Sequence, residues 1–249
     1  MREEQEQREQ ALRRSPSSGG SDPRELLAYQ FRSNTGQSNF FGLPRKIRNR
    51  IYRAVLYVPH PIYLFQDTGS RVEMFAPERP HRWLALLQVN RQFHVEAAEI
   101  LYSINHFTLL DERQPQDRLL KAFLACIGPV NSASLSHLDM DFPALDGPAE
   151  EFKLKDDSLQ RLKLLPRHCT TLTTVEMSFS IKHIRDLGRA TGENPHFIKE
   201  ALSQINSQLQ AIPSLKNICI RITGPDPSLP TKDCMRALGW AVMPAYGNP

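Results

Sequence analysis

Three stretches, "LSHLDMDF" (135–142), "LTTVEMSF" (172–179) and "LKNICIRI" (215–222), share one pattern: a leading leucine and two spacer residues, then alternating apolar and polar residues. Alternation with a period of two is typical of β-strands. A helical segment precedes each stretch: "QDRLLKAFLACI", "DSLQRLKLLP" and "FIKEALSQINSQLQAI". Strands that alternate with helices at this spacing need crossover connections, which predicts a largely parallel sheet.

The alternation also assigns the two faces of this predicted sheet, because successive side chains of a strand point to opposite sides. We expect the apolar set to face the helices: Leu138, Met140, Phe142, Val175, Met177, Phe179, Ile218, Ile220 and Ile222. The opposite face then carries His137, Asp139, Asp141, Glu176, Ser178, Cys219 and Arg221. The leading leucines are 37 and 43 residues apart, which lies in the range of stacked repeats.

The segment "FGLPRKIRNRIYRAVLYV" lies earlier in the chain and predicts an amphipathic helix over 44–57. Leu43, Ile47, Ile51 and Val55 recur every four residues, and we expect this apolar stripe to be largely buried. Pro44 suits a first helical position, where its missing N–H costs no hydrogen bond. Residues 39–58 hold five Lys or Arg and no acid, while the whole chain nets +4. We expect these cations to lie in solvent.

The remaining elements follow from local signals. The segment 62–75 predicts a β-hairpin around "DTGS", and "NHFTLLD" (105–111) predicts a strand. Between them, "WLALLQVNRQFHVEAAEILY" (83–102) contains no Gly or Pro and predicts one continuous helix. "TKDCMRALGWA" (231–241) predicts a last helix. Residues 1–38 are rich in Ser, Gly, Glu, Gln and Arg, which predicts a disordered tail.

Composition narrows the class of protein. No run of 18 apolar residues is present, so we expect no membrane contact, and the first residues lack the apolar segment of a secretory signal. The four cysteines are far apart and form no Cys-x-x-Cys pair, which favours reduced thiols. We therefore expect a cytoplasmic or nuclear protein.

Catalytic and cofactor motifs give no positive signal. The sequence contains no Gly-rich phosphate loop, no G-x-S-x-G and no H-E-x-x-H. We therefore predict that the chain is not an enzyme and holds no metal and no cofactor. His137, Asp139 and Asp141 share a strand face that could suit a hard cation, although a solvated sheet face is the favoured interpretation. The basic helix 44–57 leaves nucleic-acid binding as a less favoured alternative.

Two blocks of the sequence resemble a large family of fungal F-box-like proteins of unknown function. The family pattern is approximately L-P-x-E-I-R-N-x-I-Y, followed by L-L-x-V-[CN]-R-Q-x-x-x-E-A-x-x-x-L-Y-x-x-N-x-F. The matching residues here are Leu43, Pro44, Ile47, Arg48, Asn49, Ile51 and Tyr52, then Leu86, Leu87, Val89, Asn90, Arg91, Gln92, Glu96, Ala97, Leu101, Tyr102, Asn105 and Phe107. Lys46 departs from the pattern, which has Glu at that position.

The resemblance implies a fold, a domain division and a function. Together with the hairpin and the repeated strand pattern, it predicts an α+β fold in which F-box-like helices with an inserted β-hairpin (39–111) precede irregular leucine-rich-repeat-like helix-strand units with a mostly parallel sheet (112–249). The implied function is a non-catalytic protein–protein interaction module that adapts substrates to a cullin ubiquitin ligase. A self-contained scaffold with no ligase role is the alternative. The oligomeric state is left open.

The implied contact residues fall into two groups. The ligase adaptor would bind Leu43, Pro44, Ile47 and Ile51 on the first helix. A client protein would bind the polar face of the sheet through His137, Asp139, Asp141, Glu176 and Arg221.

Overall fold

The computed structural model describes residues 39–67, 71–80, 82–110, 115–147, 153–191 and 194–244. The predicted disordered tail at 1–38 lies outside these residues. Contacts divide the chain into two units, Met1–Arg48 and Asn49–Pro249, and the division falls inside the first α-helix. Across the described ranges, none of the helices combines the length and the apolar character needed to cross a bilayer.

The strands of the described residues form one large sheet and one small one. In chain order they are β1 (Ile62–Phe65), β2 (Glu73–Phe75), β3 (His106–Leu109), β4 (His137–Asp141), β5 (Leu145–Asp146), β6 (Lys153–Leu154), β7 (Thr174–Ser180), β8 (Asn217–Thr223) and β9 (Ala241–Met243). The large sheet has the order β2-β1-β3-β4-β7-β8-β9. Its pairs are parallel except the hairpin β1–β2. The predicted α+β fold with a mostly parallel sheet is therefore confirmed.

The α-helices of the described residues alternate with these strands. They are α1 (Arg45–Leu56), α2 (Arg91–Ile104), α3 (Gln116–Ala133), α4 (Asp156–His168), α5 (Ile181–Thr191), α6 (Pro195–Leu209) and α7 (Leu229–Ala237). Helices α2, α3, α4, α6 and α7 contact one another in series. The predicted helices before β4, β7 and β8 are all confirmed.

The predicted faces of the sheet are confirmed on the apolar side. Every apolar residue assigned to the helix-facing side of β4, β7 and β8 is buried, and Phe107 and Leu109 of β3 are buried with them. The helices supply the matching layer: Leu119, Leu120, Phe123, Leu162, Leu165, Ile198, Leu202, Ile205 and Leu209. One continuous apolar layer between sheet and helices is therefore the core.

The predicted continuous helix over 83–102 is wrong in one respect. Trp83–Gln88 is a 3₁₀-helix, and α2 begins only at Arg91. The break lies at Asn90, whose extended backbone ends the first segment. Its side-chain oxygen accepts a hydrogen bond from the N–H of Phe93 at 2.9 Å, which is an N-cap. The N-cap formed by Asn90 therefore interrupts the helix, although the apolar residues keep a helical spacing on both sides of it.

Two helices that follow strands of the large sheet also differ from prediction. Helix α5 follows β7 directly and was not predicted. Its first turn is closed by His183, whose Nδ1 accepts the backbone N–H of Ser180 at 2.9 Å. The last helix runs from Leu229 to Ala237 and ends before Gly239, whose φ of 81° is left-handed. Residues Ala241–Met243 form β9 and are not helical.

The apolar stripe of α1 is exposed, so its predicted burial is wrong. The exposed fractions of Leu43, Ile47, Ile51 and Val55 are 36%, 39%, 38% and 43%. The buried side of the helix is instead formed by Arg48, Tyr52 and Leu56, which also recur every four residues. The sequence contains two stripes at the same spacing, and the one that includes a charged residue is buried.

Asn105 joins the ends of α1 and α2. Its side chain is 1% exposed, and its amide donates to the carbonyls of Leu56 at 3.0 Å and Leu101 at 2.9 Å. Its oxygen accepts the N–H of Val58 at 2.8 Å. One side chain thus satisfies three backbone groups at helix ends, which would otherwise be buried without partners.

We expect Asn105→Ala to lower the free energy of unfolding by about 3 kcal/mol, because three backbone groups lose a buried partner. Chemical denaturation measures this value. Asn217→Ala is the matched control, since Asn217 is exposed and its amide makes a single 3.3 Å hydrogen bond to Thr174. An equal loss of stability in both variants would contradict this role for Asn105.

We expect His183 to make the fold sensitive to acid. Burial lowers its pKa to about 4, and Lys182 and Arg161 act in the same direction, against the opposing charges of Asp141 and Asp186. Because the folded-state pKa lies below the unfolded value of 6.5, stability is fully present above 6.5 and is lost as pH falls toward 4.

The variant His183→Gln should lose about 3 kcal/mol less stability than the parent protein between those two pH values. Denaturation curves across that range measure the difference. His168→Gln replaces an exposed histidine and should follow the parent curve. A His183→Gln curve parallel to that of the parent would rule out His183 as the acid-sensitive group.

Candidate functional site

Helix α1 presents three bands of side chains along its length. The buried band is Arg48, Tyr52 and Leu56, and the exposed apolar band is Ile47, Ile51 and Val55, extended by Leu43 before the helix. The exposed cations Lys46, Arg50 and Arg53 lie on the far side of the apolar band. Because residues three and four apart share a helix face, each band is continuous over three turns. The apolar band therefore lies between the protein interior and a basic rim.

The segment before α1 is held by Arg48, the one cation of this helix that is buried. Its guanidinium donates to the carbonyls of Leu43 at 2.6 Å and Phe41 at 3.3 Å, and lies 5.9 Å from the centre of the Phe41 ring. The side chain of Asn39 caps the short 3₁₀-helix Phe40–Gly42 by accepting the N–H of Phe41. The expectation that all five cations lie in solvent is wrong for Arg48, which binds backbone carbonyls.

Several polar residues of the F-box-like pattern are structural. The hydroxyl of Tyr52 donates to Oε2 of Glu96 at 3.1 Å, and the amide of Gln92 donates to Oε1 of the same carboxylate at 3.0 Å. Tyr52 is fully buried and Glu96 is 4% exposed. With Asn105, these residues lock the second half of α1 against α2. Leu43, Pro44, Ile47 and Ile51 belong to the same pattern but are exposed, so the fold does not bury them.

The polar face of the large sheet gathers ionisable side chains from four strands. Parallel register aligns His106 with His137, and it aligns Thr108 with Asp139 and then Glu176. Asp139 and Glu176 are only 8% and 4% exposed, although both belong to the face opposite the apolar core. This face is thus more enclosed than a solvated sheet surface, and these two carboxylates offer little area to a client protein.

Glu176 is the centre of this polar cluster. Arg221 of β8 forms an ion pair with its Oε1, and Nε2 of His137 lies 3.7 Å from its Oε2. Burial by itself would raise the pKa of Glu176, but the polar contacts with His137 and Arg221 outweigh burial and lower that pKa. Glu176 is therefore a buried carboxylate with one oxygen on a guanidinium and the other toward an imidazole.

The rings of His106 and His137 are stacked beside this carboxylate. Their centroids are 3.8 Å apart and their planes differ by 7°. Burial and the neighbouring His137 lower the pKa of His106 to about 4, so its ring is neutral at neutral pH. Each of His106, His137 and Glu176 offers one potential metal-ligand atom, and these atoms all lie within 4.8 Å of one another. The three residues come from three adjacent strands.

Asp139 has an unusual protonation state for a carboxylic acid. Burial, and then the charge of Glu176, raise its pKa to about 7, against the opposing hydrogen bond from Thr108. That hydroxyl donates to Oδ2 at 3.3 Å. Asp141 differs, since its Oδ2 accepts a 2.6 Å hydrogen bond from Lys182. Asp139 is therefore bound by a hydroxyl group and Asp141 by an ammonium group.

The structure changes the composition of the possible cation site. The sequence grouped His137 with Asp139 and Asp141 along one strand, whereas among the described residues the ligand atoms that converge belong to His106, His137 and Glu176. Sequence analysis did not select His106, although it alternates with Thr108 as His137 alternates with Asp139. Recognising it required the register between β3 and β4.

The sequence matches no known family model, and comparisons with curated proteins and with solved structures give no match. The F-box-like family therefore stays a prediction that rests on the quoted residues.

We expect Arg221→Met to cost about 3 kcal/mol of stability at neutral pH, because it leaves the carboxylate of Glu176 buried without its ion-pair partner. Adding Glu176→Gln should restore part of this loss, since the buried charge is then removed as well. Urea denaturation of the two single variants and the double variant measures this coupling. Additive single effects would show that the ion pair contributes no coupling energy.

Proposed function

We propose that this protein is a non-catalytic protein-interaction module in which the exposed apolar band of α1 docks a partner. The partner that the F-box-like resemblance implies is the adaptor of a cullin ubiquitin ligase. In that role the remainder of the chain presents a client protein. The observation that carries the proposal is the exposure of Leu43, Ile47, Ile51 and Val55 on successive helical turns.

The exposed band has the geometry of a helix that lies in a groove. Such helices present apolar anchors at steps of three and four residues, and Ile47, Ile51 and Val55 have this spacing. About two fifths of each side chain is in contact with water. Burying these areas would stabilise a complex by about 1 kcal/mol for each residue. Isolated exposed apolar residues need no explanation, whereas four aligned ones mark an interaction surface.

The rim of the band suggests the charge of its partner. Lys46, Arg50 and Arg53 lie beside the apolar residues, and residues 39–58 contain no acid to neutralise them. A partner groove with acidic residues along one edge would complement this rim and would speed association. Lys46 takes the place of the acidic residue in the family pattern, so this rim is more basic than the resemblance implies.

On the polar face of the sheet, only the partly exposed side chains support the proposed binding of a client protein. The side chains of His137, Asp141 and Lys182 are 31%, 25% and 52% exposed, so a client could contact them. Asp139 and Glu176 lie beneath these groups, and Arg221 is largely buried with them. Client binding would therefore rest on the more exposed side chains.

The basic rim also raises nucleic acid as a partner. In the helix-turn-helix, a second helix supports the helix that reads DNA. Here the next element after α1 is the hairpin β1–β2. Electrostatic binding to phosphates would show a steep loss of affinity with added salt, which gives a direct test.

The docking experiment uses the full chain and the purified ligase adaptor in a titration calorimeter. We expect the parent protein to bind and the variant Ile47→Asp/Ile51→Asp to bind at least about tenfold more weakly, because two charges replace two anchors in a desolvated interface. Both replaced side chains are exposed, so the variant should retain the parent fold. Circular dichroism and thermal melting check this directly.

A matched control places the same substitutions elsewhere. Val95→Asp and Val130→Asp change apolar residues of α2 and α3 that are 54% and 71% exposed. Neither should alter binding. Absence of adaptor binding by the folded parent protein would reject the adaptor role and favour a self-contained scaffold. Salt-sensitive binding of a DNA duplex, with no adaptor binding, would favour nucleic acid.

A further inference from the structure

The pair of stacked histidines on the polar face has unused ring nitrogens. Nε2 of His106 and Nε2 of His137 are shielded from solvent, and neither has a hydrogen-bond partner among the described residues. A buried polar atom without a partner costs free energy, so such an atom is a candidate for binding a ligand. The two atoms lie on neighbouring rings, so one ligand could contact both if the rings tilt toward it.

A carboxylate oxygen completes the same cluster. Oε2 of Glu176 lies 3.7 Å from Nε2 of His137, which is too long for a hydrogen bond. The other oxygen of Glu176 is held by Arg221. This ion pair orients the carboxylate so that Oε2 points to the histidines, as an outer partner orients a metal ligand. The ligand set on one sheet face is therefore two imidazoles and one carboxylate.

Asp139 adds a further buried polar atom on the same face of the sheet. Its side chain is 8% exposed, and its Oδ1 has no hydrogen-bond partner among the described residues. It is the register partner of Glu176 across β4 and β7, so both side chains are on the same face of adjacent strands.

The chemistry of this donor set selects among cations. Imidazole nitrogens suit Zn²⁺, Cu²⁺, Fe²⁺ and Ni²⁺, whereas Mg²⁺ and Ca²⁺ prefer oxygen ligands only. Two histidines and one carboxylate, with a fourth position left for water, form a known ligand set for Zn²⁺. A hard cation, which the aspartates of β4 suggested from sequence, is not the best match for the residues that converge.

We propose that His106, His137 and Glu176 form a binding site for Zn²⁺ or a chemically similar divalent transition-metal ion. The site is separate from the apolar band of α1 and does not depend on the docking role. Metal binding would link β3, β4 and β7 through side chains on the face opposite the core. The fold therefore supplies one ligand from each of three adjacent strands.

Metal binding would require the two nearly parallel rings to tilt and the three ligand atoms to move closer together. Zn–N and Zn–O distances of about 2.1 Å place tetrahedral ligand atoms about 3.4 Å apart. The present spread of up to 4.8 Å exceeds this value by about 1.4 Å. Rotation of the imidazole rings about χ2, together with a small χ1 adjustment, can supply the difference, because the Nε2 atoms are not held by hydrogen bonds.

The test measures metal binding by the full chain after treatment with a chelator. Titration calorimetry with Zn²⁺ should show one ion per chain, and Mg²⁺ should show no binding at this site. Replacement of Zn²⁺ by Co²⁺ should give a visible absorption spectrum typical of nitrogen and oxygen ligands. We expect His106→Phe to weaken Zn²⁺ binding by about a hundredfold or more, because loss of a direct ligand exceeds loss of an outer partner.

The choice of variants separates ligand loss from loss of fold. Phenylalanine retains a flat ring that can stack on His137, and Glu176→Gln retains the shape of the carboxylate while lowering its affinity for metal. His60→Ala is the matched control, since Nε2 of His60 lies 3.8 Å from Oε2 of Glu78 in an exposed histidine–carboxylate pair. Cys219→Ser tests whether a thiol on the same face contributes.

The outcomes are distinct. Tight Zn²⁺ binding that is lost in folded His106→Phe and Glu176→Gln, and kept in His60→Ala and Cys219→Ser, supports the site. Binding that is absent from the parent protein, or unchanged in folded His106→Phe, overturns the proposal. Dependence on Cys219 alone would also overturn it, because the ligand set would then be different.

Discussion

The fold depends on the buried polar junction between α1 and α2. Asn105 binds backbone groups at both helix ends, and Glu96 accepts hydrogen bonds from Tyr52 and Gln92. Strand β1 begins six residues after α1 ends, and β3 begins immediately after Asn105. The junction therefore sets the position from which two neighbouring strands start. Because the groups are buried and directional, they specify one arrangement where apolar contacts would allow several.

This junction separates the structural from the exposed part of the F-box-like pattern. Tyr52, Gln92, Glu96 and Asn105 hold the fold together, so their presence needs no partner protein. The apolar band that begins at Leu43 contributes little to the interior. The proposed adaptor function thus rests on this band and on the basic rim beside it, and the two parts of the pattern can be tested independently.

The two faces of the large sheet differ in composition. The apolar face is an ordinary core, whereas the opposite face encloses Asp139 and Glu176 beneath histidine and arginine side chains. Enclosed charges require partners, and Arg221 is the partner of Glu176. The ion pair does not involve the stacked histidines. Among the described residues, Nε2 of His106 and Nε2 of His137 have no hydrogen-bond partner.

Local periodicity in the sequence determined the strands, most helices and the parallel sheet, because apolar alternation reports directly on burial at each strand. It could not decide between two stripes on α1, since Ile47/Ile51/Val55 and Arg48/Tyr52/Leu56 have the same spacing. The tertiary hydrogen bond that the Tyr52 hydroxyl donates to Glu96, and the backbone carbonyls that bind Arg48, decided that choice. His106 joined the polar cluster only through the register of β3 on β4, because contacts between strands depend on pairing that no single segment encodes.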